Sequence, residues 1–314
     1  MGNGSNAASS GRIFGCVPPA PRPQWDGNDE GDEMVQPRSR EFAQVDVFAA
    51  EPYRGNPVAV VLDGAGLPDE AMAQFAAWTN LSETTFVLPP TTAGADYRLR
   101  IFTPAAEIPF AGHPTLGSAQ AWLEAGGVPN SPGLLVQECG AGLVALRRGD
   151  ESLAFRAPEP VRRGDLDDEH LARIARGLGI DRARIVAHNW VDNGPGWAAV
   201  LLGSAQEVLD LEPDDQHMRD LILGVVGPYP PGSPLQFEVR AFAAPVGVRE
   251  DPVTGSLNAG LAQWLIGAGL APADYRASQG TRVGRRGIVT VHSSGDEVWI
   301  GGRSTTCIRG AVHL

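Results

Sequence analysis

The sequence contains no lysine, since all 25 of its basic residues are arginine. A lysine amine forms the Schiff base with pyridoxal phosphate or with a carbonyl substrate, and a lysine also completes the phosphate-binding P-loop. The absence of lysine therefore excludes both kinds of site.

Cysteine and histidine are scarce as well. The chain has three cysteines, Cys16, Cys139 and Cys307, which lie far apart and form no C-x-x-C pair. Its 6 histidines show no spacing typical of metal ligands. With lysine also missing and no G-x-G-x-x-G segment, we expect an enzyme without metal or other cofactor. So few thiols are typical of a reducing compartment, and we expect a cytoplasmic location.

Neither a basic patch nor a long apolar run is present. The chain has 37 acidic against 25 basic residues, and its formal net charge is -12. Nucleic-acid binding draws its affinity from clustered cations, and here arginines occur at most in adjacent pairs. No run approaches the roughly 18 to 20 consecutive apolar residues of a membrane span. We therefore predict a soluble protein with no nucleic-acid or membrane partner.

The order of elements along the chain predicts an N-terminal tail and two similar halves. Residues 1–40 are rich in Gly, Pro, Ser and charge and lack an apolar period, so we expect them to be disordered. Met34 is an alternative start of the native chain. In the remainder, apolar periodicity and turn residues predict strands at 42–48, 58–62, 84–88, 97–102, 185–187, 197–202 and 237–242, and helices at 67–80 and about 167–177.

An internal repeat supports the two halves. Residues 113–118 and 251–256 share the pattern [His/Asp]-Pro-x-x-Gly-Ser. Each copy follows a strand that ends in Arg-x-Phe with a nearby proline, and each precedes an Ala-rich apolar segment that ends in Gly. Two copies of one ancestral unit explain this repetition.

The repeat places His113 and Asp251 at equivalent helix starts. Proline suits the first turn of a helix, and a helix N-terminus is an anion site. Two such starts meeting at a domain interface would hold a carboxylate between His113 and Asp251. The alternative is that these two residues only cap their helices.

Glu83 is our candidate for proton transfer. It lies at a helix-to-strand junction between Ser82 and Thr84, where a carboxylate can face a cleft. The alternative for any single glutamate is an ordinary surface turn.

These segments together resemble the phenazine-biosynthesis isomerase (PhzF-like) family, which has the diaminopimelate-epimerase fold. The similarity covers about residues 42–309. It is carried by the ordered segments 45–48 (Val-Asp-Val-Phe), 55–57 (Gly-Asn-Pro), 81–86 (Leu-Ser-Glu-Thr-Thr-Phe), 101–104 (Ile-Phe-Thr-Pro), 110–115 (Phe-Ala-Gly-His-Pro-Thr), 251–256 (Asp-Pro-Val-Thr-Gly-Ser) and 279–285 (Gln-Gly, then Gly-Arg).

The resemblance implies an α/β (α+β) fold of two pseudo-symmetric lobes, each a curved β-sheet wrapped around a central helix, and usually a homodimer. We place lobe 1 at residues 41–157, with the C-terminal segment 303–314 returning to it, and lobe 2 at residues 158–302.

The resemblance also implies roles for six residues. Glu83 is the implied general acid/base. His113 and Asp251 are implied to position the substrate and assist proton movement, whether or not they transfer protons themselves. The implied substrate-binding residues are Gly112, Gly255 and Ser256.

The activity implied is a cofactor-independent isomerisation. A proton moves between carbons of a small carboxylate-bearing substrate, as in trans-2,3-dihydro-3-hydroxyanthranilate isomerisation. Cysteine-using epimerases of the same fold carry a thiol pair that this chain lacks. An amino-acid epimerase or racemase on the same fold and a non-catalytic binding protein are the alternatives, and the motifs do not identify the substrate.

Overall fold

The computed structural model of the chain describes residues 37–314. Most of the predicted tail therefore lies outside the described residues. The first strand begins at Ser39, two residues before the predicted start of lobe 1. Arg40 is buried, and its guanidinium donates to the carbonyl oxygens of Asp63, Ala65 and Leu314. These partners are distant in sequence, so no local pattern indicated that Arg40 belongs to the core.

Eighteen strands and six helices occupy the described residues, and none of these helices is long and apolar enough to cross a membrane. The first half contains β1 (Ser39–Val47), β2 (Asn56–Val61), α1 (Asp69–Thr79), β3 (Thr84–Leu88), β4 (Tyr97–Phe102), β5 (Glu107–Ile108), α2 (Gly112–Glu124), β6 (Leu134–Cys139), β7 (Gly142–Arg148) and β8 (Leu153–Arg156). The second half contains β9 (Arg162–Gly164), α3 (Asp168–Leu178), β10 (Ala187–Asp192), β11 (Ala198–Leu201), α4 (Ala205–Leu209), α5 (Asp215–Met218), β12 (Ile222–Pro228), β13 (Phe237–Ala243), β14 (Val248–Asp251), α6 (Gly255–Gly267), β15 (Asp274–Gln279), β16 (Gly287–Ser294), β17 (Glu297–Gly302) and finally β18 (Ser304–His313).

Several predicted elements are confirmed. Strands β3 and β4 match the predicted ranges residue for residue. Helix α1 starts after Pro68 and ends where Asn80 adopts the left-handed conformation, with φ of 55°. The strand predicted around residues 185–187 is present but begins only at Ala187, because a 3₁₀ turn at Arg182–Arg184 precedes β10.

The two halves have the same sheet topology. In the first, the strands lie side by side in the order β18, β1, β2, β3, β4, β6, β7, β8. In the second, the order is β9, β10, β11, β12, β13, β15, β16, β17. In each of these two rows of strands, the third and the fifth pair of neighbours are parallel and all other pairs are antiparallel. The parallel pairs are β2–β3 and β4–β6 in the first row, and β11–β12 and β13–β15 in the second. The last strand of the chain, β18, therefore occupies the same position in the first row as β9 does in the second.

Each row forms a curved sheet around one central helix, α2 in the first lobe and α6 in the second. Small residues allow this close packing. A Cβ on Gly117 would lie 2.3 Å from the side chain of Val58, and one on Gly260 would lie 2.2 Å from the carbonyl oxygen of Val191. Both glycines lie five residues after the first residue of their helix. The predicted fold of two pseudo-symmetric lobes is confirmed, whereas the boundary between residues 157 and 158 stays a prediction.

The predicted register of the repeat is wrong by five residues. Because α2 begins at Gly112 and α6 at Gly255, the equivalent of His113 is Ser256 and not Asp251. Asp251 ends β14, ahead of its helix. Ser118 lies inside α2 and shares a 2.8 Å hydrogen bond with Thr85. The pattern [His/Asp]-Pro-x-x-Gly-Ser is too short to define the register, because proline and small residues are tolerated in more than one position around a helix start.

The repeated Arg-x-Phe motif has one physical explanation in both lobes. Arg100 of β4 makes two hydrogen bonds to Glu107 of β5, and Arg240 of β13 makes two to Glu250 of β14. Each guanidinium also lies over the following phenylalanine, with distances of 5.1 and 5.0 Å to the ring centroids. The ion pair ties together the hairpin that leads into each central helix.

The two ion pairs differ in burial and therefore in their effect on stability. The side chains of Arg240 and Glu250 are 5% and 9% exposed, whereas Glu107 is 42% exposed. Arg240→Met should lower the free energy of unfolding by about 3 to 5 kcal/mol, because it leaves a buried carboxylate without its partner. The matched variant Arg100→Met should lower it by about 1 kcal/mol or less. Urea unfolding at pH 7 measures both, and equal losses would contradict this account.

Candidate active site

The site lies where the first residues of the two central helices meet. A Cβ on Gly255 would lie 3.0 Å from the Cα of Gly112, so the two helix starts are in direct contact. Within residues 37–314, neither N-cap residue, Ala111 or Thr254, caps its helix with its side chain, and neither His113 nor Asp251 accepts from a backbone N–H of α2 or α6, so His113 and Asp251 are not caps. The uncapped N–H groups of both helices therefore face one place and favour an anionic group there.

Glu83 and His113 face each other across this place. Glu83 follows α1 and directly precedes β3. Its Oε2 lies 3.2 Å from Nε2 of His113, and the two side chains are 15% and 6% exposed. The angles are not those of a hydrogen bond, and within residues 37–314 neither atom has another partner. Glu83 is thus not an ordinary surface turn, and both atoms are available to a third group.

Burial changes the protonation of these groups. It raises the pKa of Glu83 to about 7. It lowers the pKa of His113 to about 4, more than the neighbouring Asp251 raises it. It also raises the pKa of Asp251 to about 6, against the opposing effect of His113. Near neutral pH, His113 is therefore uncharged, and Glu83 exists in both protonation states.

Asn56 connects the two lobes at the site, a role that its sequence context did not indicate. Its Nδ2 donates to Oδ1 of Asp251 (3.0 Å) and to the carbonyl of Val253 (2.9 Å), and it lies 3.4 Å from Nδ1 of His113. Both amide hydrogens of Asn56 are thus engaged by the second lobe, and the His113 ring packs against the amide. Gly55-Asn56-Pro57 is one of the family segments, but nothing local showed that the amide is buried.

A second amide fixes Asp251 from the other side. Thr254 donates its hydroxyl to Oδ2 of Asp251 at 2.5 Å. Gln279 donates to Oγ1 of Thr254 (2.9 Å) and to the backbone carbonyl of Asp251 (3.1 Å). Both carboxylate oxygens of Asp251 are therefore hydrogen-bonded, since Asn56 holds Oδ1.

The structure brings the six predicted site residues to one place. Glu83 and His113 meet directly, Asn56 links His113 to Asp251, and the two glycines are in contact. Ser256 follows Gly255 in the first turn of α6. The roles assigned to these residues stay predictions.

Comparison with known proteins agrees with this arrangement. The family model described as phenazine biosynthesis-like protein (PhzC-PhzF) matches residues 45–310. The chain belongs to this family. It is 33% identical over 286 residues to trans-2,3-dihydro-3-hydroxyanthranilate isomerase of Pseudomonas aeruginosa, an alignment that covers 87% of this chain and 99% of the relative.

Two further matches extend across nearly the whole length of the matched proteins. Antisense-enhancing sequence 1 of Schizosaccharomyces pombe is 37% identical over 298 residues, covering 87% of this chain and 98% of the relative. The crystal structure of an Enterococcus faecalis PhzF family protein has a TM-score of 0.74 at 28% identity and covers 88% of this chain and all of that one. The predicted family and fold are confirmed, and the chain is an isomerase of the PhzF family.

The raised pKa of Glu83 predicts that this residue destabilises the PhzF fold above neutral pH. Its pKa is raised from an ordinary 4.5 to about 7, so the folded protein binds this proton more tightly than the unfolded chain does. Stability from this group is complete below pH 4.5 and is lost as pH rises through 7. Glu83→Gln should therefore be more stable than the wild type by roughly 3 kcal/mol at pH 8, with little difference at pH 4.

Urea unfolding between pH 4 and 8 tests this prediction. Glu70→Gln is the control, because Glu70 is an exposed residue in the first turn of α1. A Glu83→Gln protein that is less stable than the wild type at pH 8 would show that Glu83 is not a desolvated carboxylate.

Proposed function

We propose that this PhzF family isomerase moves a proton between two carbons of a small carboxylate-bearing substrate, with Glu83 as the general acid/base. The reaction of trans-2,3-dihydro-3-hydroxyanthranilate is the model, since a relative bears that name. The observation that carries the proposal is that Oε2 of Glu83 and Nε2 of His113 face each other at 3.2 Å with no other partner in the described residues.

The chemistry requires a base that also returns the proton. The ionised Glu83 takes a proton from an activated carbon, and the C–H electron pair moves into the adjoining unsaturated system. The protonated Glu83 then gives the proton to a second carbon, so that no electrons are gained or lost. A pKa of about 7 suits both steps near neutral pH. The N–H groups of the helix starts would stabilise the charge that develops on the substrate.

His113 and Asp251 have supporting roles in this proposal. Nε2 of the neutral His113 can form a hydrogen bond with the substrate when the substrate lies between it and Glu83. Asp251 is hydrogen-bonded through both oxygens, to Asn56 and Thr254, so in this proposal it orients its neighbours while Glu83 carries the transferred proton.

The asymmetry of the two helix starts favours an isomerase over a racemase. A two-base racemase needs a proton-carrying group on each side of its substrate. The position equivalent to His113 in the second lobe is Ser256, and the residue before it is Gly255. Neither side chain titrates near neutral pH, so the proton is returned by the same group that removed it.

Replacing the proposed base tests the function. Glu83→Gln keeps the size of the side chain but cannot accept a proton, so kcat on trans-2,3-dihydro-3-hydroxyanthranilate should fall by about 10² to 10⁴. Glu70→Gln should retain wild-type kcat. A folded Glu83→Gln protein that keeps more than about a tenth of kcat would contradict the role of Glu83.

The pH dependence supplies a second test. Because the free enzyme must hold Glu83 ionised to accept a proton, kcat/KM should rise with pH through about 7 and then level off. Because Glu83 and Asp251 interact, the rising part of the kcat/KM profile reports an apparent pKa of the pair and not of Glu83 alone. A profile that is already level at pH 5 would contradict a general base with a raised pKa.

A further inference from the structure

Ser256 is held from two sides by a turn of the second lobe. The indole Nε1 of Trp197 lies 3.0 Å from Oγ of Ser256, and Nδ2 of Asn193 donates to the Ser256 carbonyl at 2.8 Å. Trp197 is 3% exposed. The turn itself is fixed by Asp192, whose Oδ1 accepts from the backbone N–H groups of Gly194 (2.8 Å) and Gly196 (2.7 Å).

The Trp197 indole restricts the direction in which the Ser256 hydroxyl hydrogen can point. An indole N–H only donates, so Oγ of Ser256 accepts from Trp197 and the serine hydrogen is directed elsewhere. Ser256 is in the first turn of the uncapped helix α6, beside the contact between Gly255 and Gly112. A hydroxyl whose rotation is restricted in this way can serve a ligand at the helix start as a donor.

The first lobe has a similar contact to the second residue of its central helix, made by different residues. Asn56 opens β2 and places its amide against His113, the second residue of α2. Trp197 directly precedes β11 and places its indole against Ser256, the second residue of α6. β2 and β11 occupy the same position in their two sheets, and in each lobe a side chain at the start of that strand contacts the polar residue at the helix start.

We propose that Trp197 is a positioning residue that makes Ser256 a hydrogen-bond donor to the substrate's carboxylate. This inference rests on the proposed function. The indole takes one acceptor site of the serine oxygen and leaves the hydroxyl hydrogen free, so an acceptor group on the ligand fits Ser256. An anionic oxygen fits best, since the N–H groups of two helix starts favour negative charge at the same place.

A double-mutant cycle tests whether Trp197 acts through Ser256. Trp197→Phe keeps an aromatic ring and removes the N–H, and it should raise KM for trans-2,3-dihydro-3-hydroxyanthranilate about tenfold, with a smaller change in kcat. Ser256→Ala should raise KM at least as much. In the Ser256→Ala background, Trp197→Phe should have no further effect.

The matched control is Trp299→Phe. Trp299 is another buried tryptophan with a bonded indole, but its Nε1 donates to Glu297 on β17. This variant should leave KM unchanged. Thermal unfolding of all variants verifies that they fold.

A measurement without ligand tests the contact itself. The Trp197 indole N–H signal, assigned by its absence from Trp197→Phe, should shift in the ¹H–¹⁵N spectrum of Ser256→Ala, while the Trp299 signal should stay in place. An unshifted signal, or additive effects of the two substitutions on KM in an active enzyme, would overturn this inference alone. Absence of turnover by the wild type would contradict the proposed function, and this inference with it.

Discussion

The two central helices touch at Gly112 and Gly255, so closely that a Cβ on Gly255 would lie 3.0 Å from the other helix's Cα. The rest of the site depends on this contact. It sets the uncapped N–H groups of both helices at one place, and it puts His113 and Ser256, the next residues, on either side of it. A larger side chain at either glycine would separate the helix starts, and the amide of Asn56 could then no longer reach both His113 and Asp251.

The same close packing determines the electrostatics. Glu83 and His113 are both buried, and this burial raises the pKa of Glu83 and lowers that of His113. A protein selected for stability alone would pair or remove such a carboxylate. Here Oε2 of Glu83 and Nε2 of His113 lack other partners within the described part of the chain, which is the arrangement that a group working on a substrate requires.

The sequence predicted the features that depend on local pattern, and it missed those that depend on distant contacts. Helix α1 and strands β3 and β4 follow from apolar period, proline and turn residues, and Glu83 and His113, which both come from family motifs, lie side by side in the structure. The predicted register of the internal repeat was wrong, because a six-residue pattern does not define where a helix starts. Asn56 and Trp197 were missed since their partners, Asp251 and Ser256, lie 195 and 59 residues away along the chain, and no periodicity reports a hydrogen bond of that range.

Titration of the Glu83 carboxyl tests most directly whether this buried group exchanges a proton near neutral pH. The ¹³C signal of the Glu83 carboxyl can be followed from pH 4 to 9 in protein labelled at the glutamate side-chain carboxyl, with the Glu83→Gln variant identifying the resonance. The account predicts a midpoint near pH 7, set by burial. A midpoint at the ordinary value of 4.5 would contradict it, because the carboxylate would then be solvated and unable to hold the proton that it is proposed to carry.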